Sequence, residues 1–197
     1  MKFELIKKVP IVEIDGKRCF LDTGHPCVVK PVEPVHQEFF GIPDLHVAGA
    51  GRLKRYTKFD YANCEITTSD DPIQLEGGQT VPLEVRPTGW LVKMTVGGVG
   101  GLRYIDTGAA FSYVRNLSAQ FLIVETADEC GWTKGPFKAP VRRVPCDFAG
   151  HQFEILCGDA NDNPEYVPPE GVIGYDFFAN FTLVVDRVGG KVTIIKN

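Results

Sequence analysis

Two stretches of this chain are written to one plan. "VPIVEIDGKRCFLDTG" (9–24) and "WLVKMTVGGVGGLRYIDTG" (90–108) each run an apolar strand into a glycine-bearing hairpin, a second apolar strand and then Asp-Thr-Gly. Asp-Gly and paired glycines supply the positive φ that two-residue hairpins need, so each unit is an antiparallel pair that delivers an acid to the end of a strand. The acids, Asp22 and Asp106, stand 84 positions apart. A repeated strand-hairpin-strand frame restricts the chain to a mainly β fold with internal symmetry.

The rest of the sequence keeps the same period. "KFELI", "HQFEIL", "FTLVVD" and "KVTIIK" are short runs rich in Val, Ile and Phe, and such alternation between turn-forming clusters predicts half-buried strands. Helical pattern is scarce, with "YDFFANF" (175–181) the best candidate, near the C-terminus. Downstream of the acids, "YTKFDYANCEI" (56–66) parallels "RRVPCDFAGHQFEI" (142–155) as strand, turn and strand. The expectation is two related halves meeting near "LEVRPTGW", an N-terminal lobe over 1–86 and a C-terminal lobe over 87–197.

Charge narrows the partners. The formal net charge is -4, which gives no electrostatic case for nucleic acid or an anionic membrane. No apolar run approaches the roughly 20 residues needed to cross a bilayer. The opening "MKFELIKKVPIVEIDG" mixes charges into its apolar positions, unlike a signal peptide, and a cytoplasmic protein is expected. The six cysteines have no CxxC pair and no zinc spacing, so they read as reduced thiols, and neither a metal nor another cofactor is called for.

An acid that only makes a turn faces water, whereas "FLD" and "YID" carry theirs to the ends of buried-looking strands. Two carboxylates a few Å apart cannot both ionise, so they share a proton. Such a pair takes a proton from water while polarising a carbonyl, which is chemistry for adding water to an amide. Thr23 and Thr107 offer hydroxyls beside the acids, and Gly24 and Gly108 let backbone N–H groups approach the carboxylates.

On these residues the chain resembles the retropepsin-like aspartic peptidases, in which each lobe carries one DTG loop. The likeness is strongest in the second half, where "LRYIDTGAAFSYV" (102–114) is similar to the family's catalytic strand and loop, and "GVIGYDFFANFTLVVDRVGGKVTII" (171–195) to its closing segment. The resemblance implies a bilobal fold of closed β-barrel lobes with pseudo-twofold symmetry. It implies Asp22 and Asp106 as the catalytic pair, Thr23 and Thr107 clasping each other, and Val172-Ile173-Gly174 packed beneath the Asp106 loop. It also implies glycine-bearing flaps over the substrate, for which Gly49, Ala50 and Gly51 in one half, and Gly131, Trp132 and Gly135 in the other, lie at suitable distances.

Two departures stand out. After "EITTSDDPIQLEGGQTVPLEV" (65–85) no apolar-apolar-Gly and helix follow, so the first lobe reads as abbreviated. His25 stands where the family carries Ser or Ala, either as a neutral loop residue or as a cation favouring an ionised Asp22. The function implied is an aspartic endopeptidase acting on protein or peptide in extended conformation. The alternative is a catalytically weak or inactive module of the same fold that binds extended peptide segments. A monomer is expected, with a homodimer that pairs complete second halves as the variant.

Overall fold

The glycine turns fix two hairpins. Asp15 and Gly16 take φ of 51° and 73°, and Gly97 and Gly98 take 56° and 84°. Left-handed pairs of this kind match the twist of the flanking strands, so Ile14 falls opposite Lys17 and Val96 opposite Val99. These features are seen in a computed structural model that describes residues 1–131, 135–162, 164–165 and 167–197.

The chain is mainly β. Its first strands are β1 (Phe3–Ile6), β2 (Val9–Ile14), β3 (Lys17–Asp22), β4 (Lys30–Pro31), β5 (His46–Gly49), β6 (Tyr56–Asp60) and β7 (Glu65–Ser69). Then come β8 (Gln79–Pro82), β9 (Glu84–Arg86), β10 (Gly89–Val96), β11 (Val99–Ile105) and β12 (Ser112–Val114). The last are β13 (Ile123–Gly131), β14 (Gly135–Phe148), β15 (His151–Asp159), β16 (Val172–Ile173), β17 (Phe181–Asp186) and β18 (Lys191–Lys196). Among the described residues two short α-helices interrupt them, α1 (Pro34–Phe40) and α2 (Tyr175–Asn180).

The strands form three sheets. One has the order β1-β2-β3-β5-β4, and a larger one the order β13-β14-β15-β12-β16-β11-β10-β9. The larger sheet curls back on itself, because β14 also pairs with β10 through Thr95–Asp147 and Val96–Cys146. The third sheet has the order β7-β6-β17-β18-β8. It draws β6, β7 and β8 from the stretch 1–86 and β17 and β18 from 87–197, so the two stretches share this sheet.

The register of that shared sheet revises one expected repeat. Phe59 pairs with Leu183, Lys58 with Val184 and Thr57 with Val185, so the β6–β7 and β17–β18 hairpins lie back to back about the Lys58–Val184 pair. The counterpart of 56–66 is therefore the closing hairpin, not 142–155. All three hairpins share a strand-Asp-turn pattern: Asp60, Asp147 and Asp186 each accept an N–H from the residue three positions on. Pattern alone could not choose between them.

Helix α2 covers the segment predicted to be helical, and α1 is an addition. Pro34 occupies its first turn, and Gly41, at φ 68°, ends it with an N–H to the Gln37 and Glu38 carbonyls. Proline at the start and a left-handed glycine at the stop are sufficient local signals. Among the described residues no helix is long and apolar enough to cross a membrane.

Two apolar clusters sandwich the strands that lead to the acids. Along β3, Cys19 and Leu21 enter one cluster with Phe59, Trp90, Ile105 and Phe178, while Phe20 enters the other with Val47, Phe111, Tyr113 and Val141. Side chains alternate along a strand, so Asp22 shares the phase of Phe20 and turns away from the Leu21 cluster.

Candidate active site

Each Asp-Thr-Gly loop is held from below by a parallel strand. Asp22 lies opposite Gly49 on β5, and Ile105 lies opposite Ile173 on β16. The Ala50 N–H donates to the His25 carbonyl at 2.8 Å, and the Tyr175 N–H donates to the Ala109 carbonyl at 3.0 Å. A side chain at Gly49 would overlap the His25 carbonyl, and one at Gly174 the Ala109 carbonyl. The two glycines allow the same close backbone approach.

This corrects the expected first flap. Gly49, Ala50 and Gly51 lie against the backbone of residues 25–27, beneath the Asp22 loop and not over the cleft. Val47-Ala48-Gly49 is the first half's own apolar-apolar-Gly, and a 3-10 turn, Ala50–Arg52, follows it. The abbreviation lies elsewhere. Asp22 and Gly49 are 27 positions apart, whereas Asp106 and Gly174 are 68 apart. The longer second interval holds the hairpin strands β13, β14 and β15, where the shorter first one holds α1.

The two loops are bonded to each other through their threonines, both 1% exposed. The Thr23 hydroxyl donates to the Ile105 carbonyl at 3.1 Å and accepts the Thr107 N–H at 3.0 Å. Reciprocally, the Thr107 hydroxyl donates to the Leu21 carbonyl at 2.8 Å and accepts the Thr23 N–H at 3.1 Å. Four buried backbone groups are satisfied by two hydroxyls.

Above this clasp the carboxyls meet. A methyl at Gly24 would stand 2.5 Å from Asp106 Oδ2 and 3.2 Å from Asp22 Oδ1, and one at Gly108 would stand 2.8 Å from Asp22 Cγ. Only glycine fits at either place. The Gly108 and Gly24 N–H groups both donate to Asp106 Oδ1, at 2.8 and 3.2 Å. Asp22 is held well above the usual carboxylate range, first by burial, then by the charge of Asp106 and a hydrogen bond to it. Burial raises Asp106 as well, but its backbone donors and the bond from Asp22 pull against that. The Gly24 and Gly108 N–H groups at Asp106 Oδ1 favour the charge on Asp106 and the shared proton on Asp22.

The pair opens on a cavity of about 250 Å³. Val172 lines it, while Ile173 is fully buried beneath the Asp106 loop. The β13–β14 hairpin brings Gly131 to the cavity wall, opposite Gly135 in the last described pair of the ladder. Trp132, the third residue expected in that flap, lies outside the described residues. The hairpin end rests on α1: Gly135 lies against Val35, and His36 is buried and lines the cavity.

His25 also lines the cavity. Its Nδ1 accepts the Cys27 N–H at 3.1 Å, and burial followed by the charge of Lys30 lowers its pKa. A ring nitrogen engaged as an acceptor belongs to neutral imidazole, so the cationic reading of His25 is not favoured. Cys130 is the cavity's thiol, pushed up to about 11 by burial and then by Glu129. It stays protonated and is a poor nucleophile at neutral pH.

Glu129 is the residue that pattern reasoning passed over. It lies on the inward phase of β13, two positions after buried Ala127, and is 8% exposed. Its Oε1 accepts the Phe111 N–H at 3.1 Å and the Tyr113 hydroxyl at 3.3 Å. Burial raises it to about 7, opposed by those donors and by Lys8, and assisted by Asp106. The folded chain thus binds this proton more tightly than the unfolded chain, whose glutamates titrate near 4.3. Its contribution to stability is full below that value and is lost as pH rises through about 7. Glu129→Gln should therefore gain about 2–3 kcal/mol relative to the parent between pH 5 and pH 8, measured by urea unfolding at both. An equal pH dependence in the two chains would contradict this origin.

Comparison with models of known protein families finds none that matches the chain, and comparison with curated proteins finds no match. Among the described residues no group of three or more His, Cys, Asp and Glu side chains is placed to hold a metal ion.

Proposed function

We propose that the protein is an aspartic endopeptidase of bilobal, retropepsin-like build, with one acid from each half. One observation carries the reading: two carboxyls on equivalent loops meet at the floor of a cavity, with two backbone N–H groups aimed at Asp106 Oδ1. A water between them gives its proton to Asp106 as its oxygen bonds to the scissile carbonyl carbon, and Asp22 gives its proton to the carbonyl oxygen. In the collapse of the resulting diol the C–N bond breaks. The amine leaves with the proton from Asp106, and one diol hydroxyl returns a proton to Asp22. Both carboxyls are restored and no covalent enzyme intermediate forms.

The β13–β14 hairpin is the single flap in this reading, and the peptide lies extended beneath it with strand-like hydrogen bonds. The first half has no counterpart; α1 forms the wall there.

The test is turnover of denatured protein and of an extended peptide library between about pH 4 and pH 7. Because both pKa values of the pair are raised, the acid limb of the profile should lie above the ordinary Asp value of about 3.9. A mixture of Asp22→Asn and Asp106→Asn chains should remain inactive, because each active pair is built within one chain. Restored cleavage would mean pairing between chains, and binding without cleavage in the parent would select the peptide-binding module.

A further inference from the structure

The cavity contains a third acid that the proposed reaction does not use. Glu129 enters from the flap strand, and both donors that reach it, the Phe111 N–H and the Tyr113 hydroxyl, bond to Oε1. Among the described residues no donor reaches Oε2, although Glu129 forms part of the cavity wall. The other acids on that wall are Asp22 and Asp106, and among the described residues no Lys or Arg lines it. Its histidines, His25 and His36, are both pushed towards the neutral form by burial. The nearby cation, Lys8, holds its Nζ 3.8 Å over the Phe111 ring. The same cavity wall carries the apolar side chains of Phe20, Phe40, Phe137 and Val167.

A cavity wall that offers both aromatic rings and a half-used carboxyl fits one kind of side chain. A methylene stem packs on the rings while its charged head reaches the acid. A carboxyl oxygen without a donor gains most from a cationic one, whose charge favours the ionised form of the acid. We propose that Glu129 determines specificity: its Oε2 receives the side chain of a lysine or arginine of the bound peptide, making this a cleft for basic substrates. The inference deepens the peptidase reading and takes its ligand class, an extended peptide, from it.

The experiment uses the full chain and matched extended peptides carrying lysine or norleucine at each position in turn. Cleavage rate and equilibrium binding, by fluorescence polarisation, are both measured. At one position lysine should be favoured about tenfold, equivalent to about 1.4 kcal/mol, and Glu129→Gln should reduce that preference to about twofold or less. Should the Gln chain not fold, Glu129→Asp takes its place, weakening lysine peptides several-fold and leaving norleucine peptides unchanged. No lysine preference in the parent at any position overturns the inference, as does a preference that survives loss of the carboxylate. Glu129-dependent binding without cleavage sinks the peptidase reading and leaves this one standing. Peptides neither bound nor cut sink both.

Discussion

Asp22→Asn and Asp106→Asn should each lower kcat/KM by about 10³-fold or more, the scale of removing a positioned acid or base, and Asp22→Asn should at the same time become harder to unfold. The activity loss follows from the proton cycle, since asparagine can neither supply nor store the proton. The gain in stability follows from linkage. Asp22 is raised well above the usual carboxylate range in the folded chain, so the folded state retains a proton that the unfolded state releases. Stability from this source is full below the unfolded pKa and falls as pH rises through the folded one. Asparagine at 22 keeps an N–H for Asp106 and takes up no proton. Its melting temperature should exceed the parent's at pH 8, and the two should converge near pH 4. At position 106 the result is less favourable: removing the charge takes away the acceptor for Asp22 and the ionised partner of the Gly24 and Gly108 N–H groups. Peptide turnover and thermal melts at the two pH values read both effects. Parent-like cleavage in either variant would end the shared-pair mechanism.

What could be read from the chain beforehand was local chemistry at strand ends. The glycine turns at 15–16 and 97–98, the acids closing β3 and β11, and helix α2 all depend on neighbours a few residues away. Long-range equivalence was less legible. Val47-Ala48-Gly49 carries the same apolar-apolar-Gly signal as Val172-Ile173-Gly174, yet it lies at a distance from Asp22 that a hairpin tip would also occupy. One spacing admits both readings, because the first half is shortened by removing its hairpin and not its supporting strand. A backbone contact separates them: a side chain at Gly49 would meet the Cys27 N–H at 2.9 Å, underneath the loop. Glu129 was hidden for another reason. Three acids are interspersed with apolar residues along "IVETADEC", and two of them, Glu125 and Asp128, face water; only the phase of the strand against Ala127 turns Glu129 inward. The phase is set by pairing with β14, which local pattern does not determine.

The largest stability loss is expected at the threonine clasp. Valine in place of Thr23 keeps the shape of the side chain but leaves the Ile105 carbonyl and the Thr107 N–H without their partner. Valine in place of Thr107 does the same to the Leu21 carbonyl and the Thr23 N–H. Each orphaned buried group costs about 1–3 kcal/mol, so either substitution should cost about 2–6 kcal/mol. Serine retains both bonds and loses one methyl, about 1 kcal/mol. The double valine variant should cost less than the sum of the singles, because loops freed by one substitution admit water to the groups orphaned by the other. Activity separates this role from simple packing. The clasp fixes one acid relative to the other, so the folded fraction of a valine variant should lose kcat more than it changes KM, while serine variants keep both. Urea unfolding with parallel kinetics on the four single variants tests this, and valine variants as stable and as fast as their serine counterparts would show that the two hydroxyls do not hold the carboxyls together.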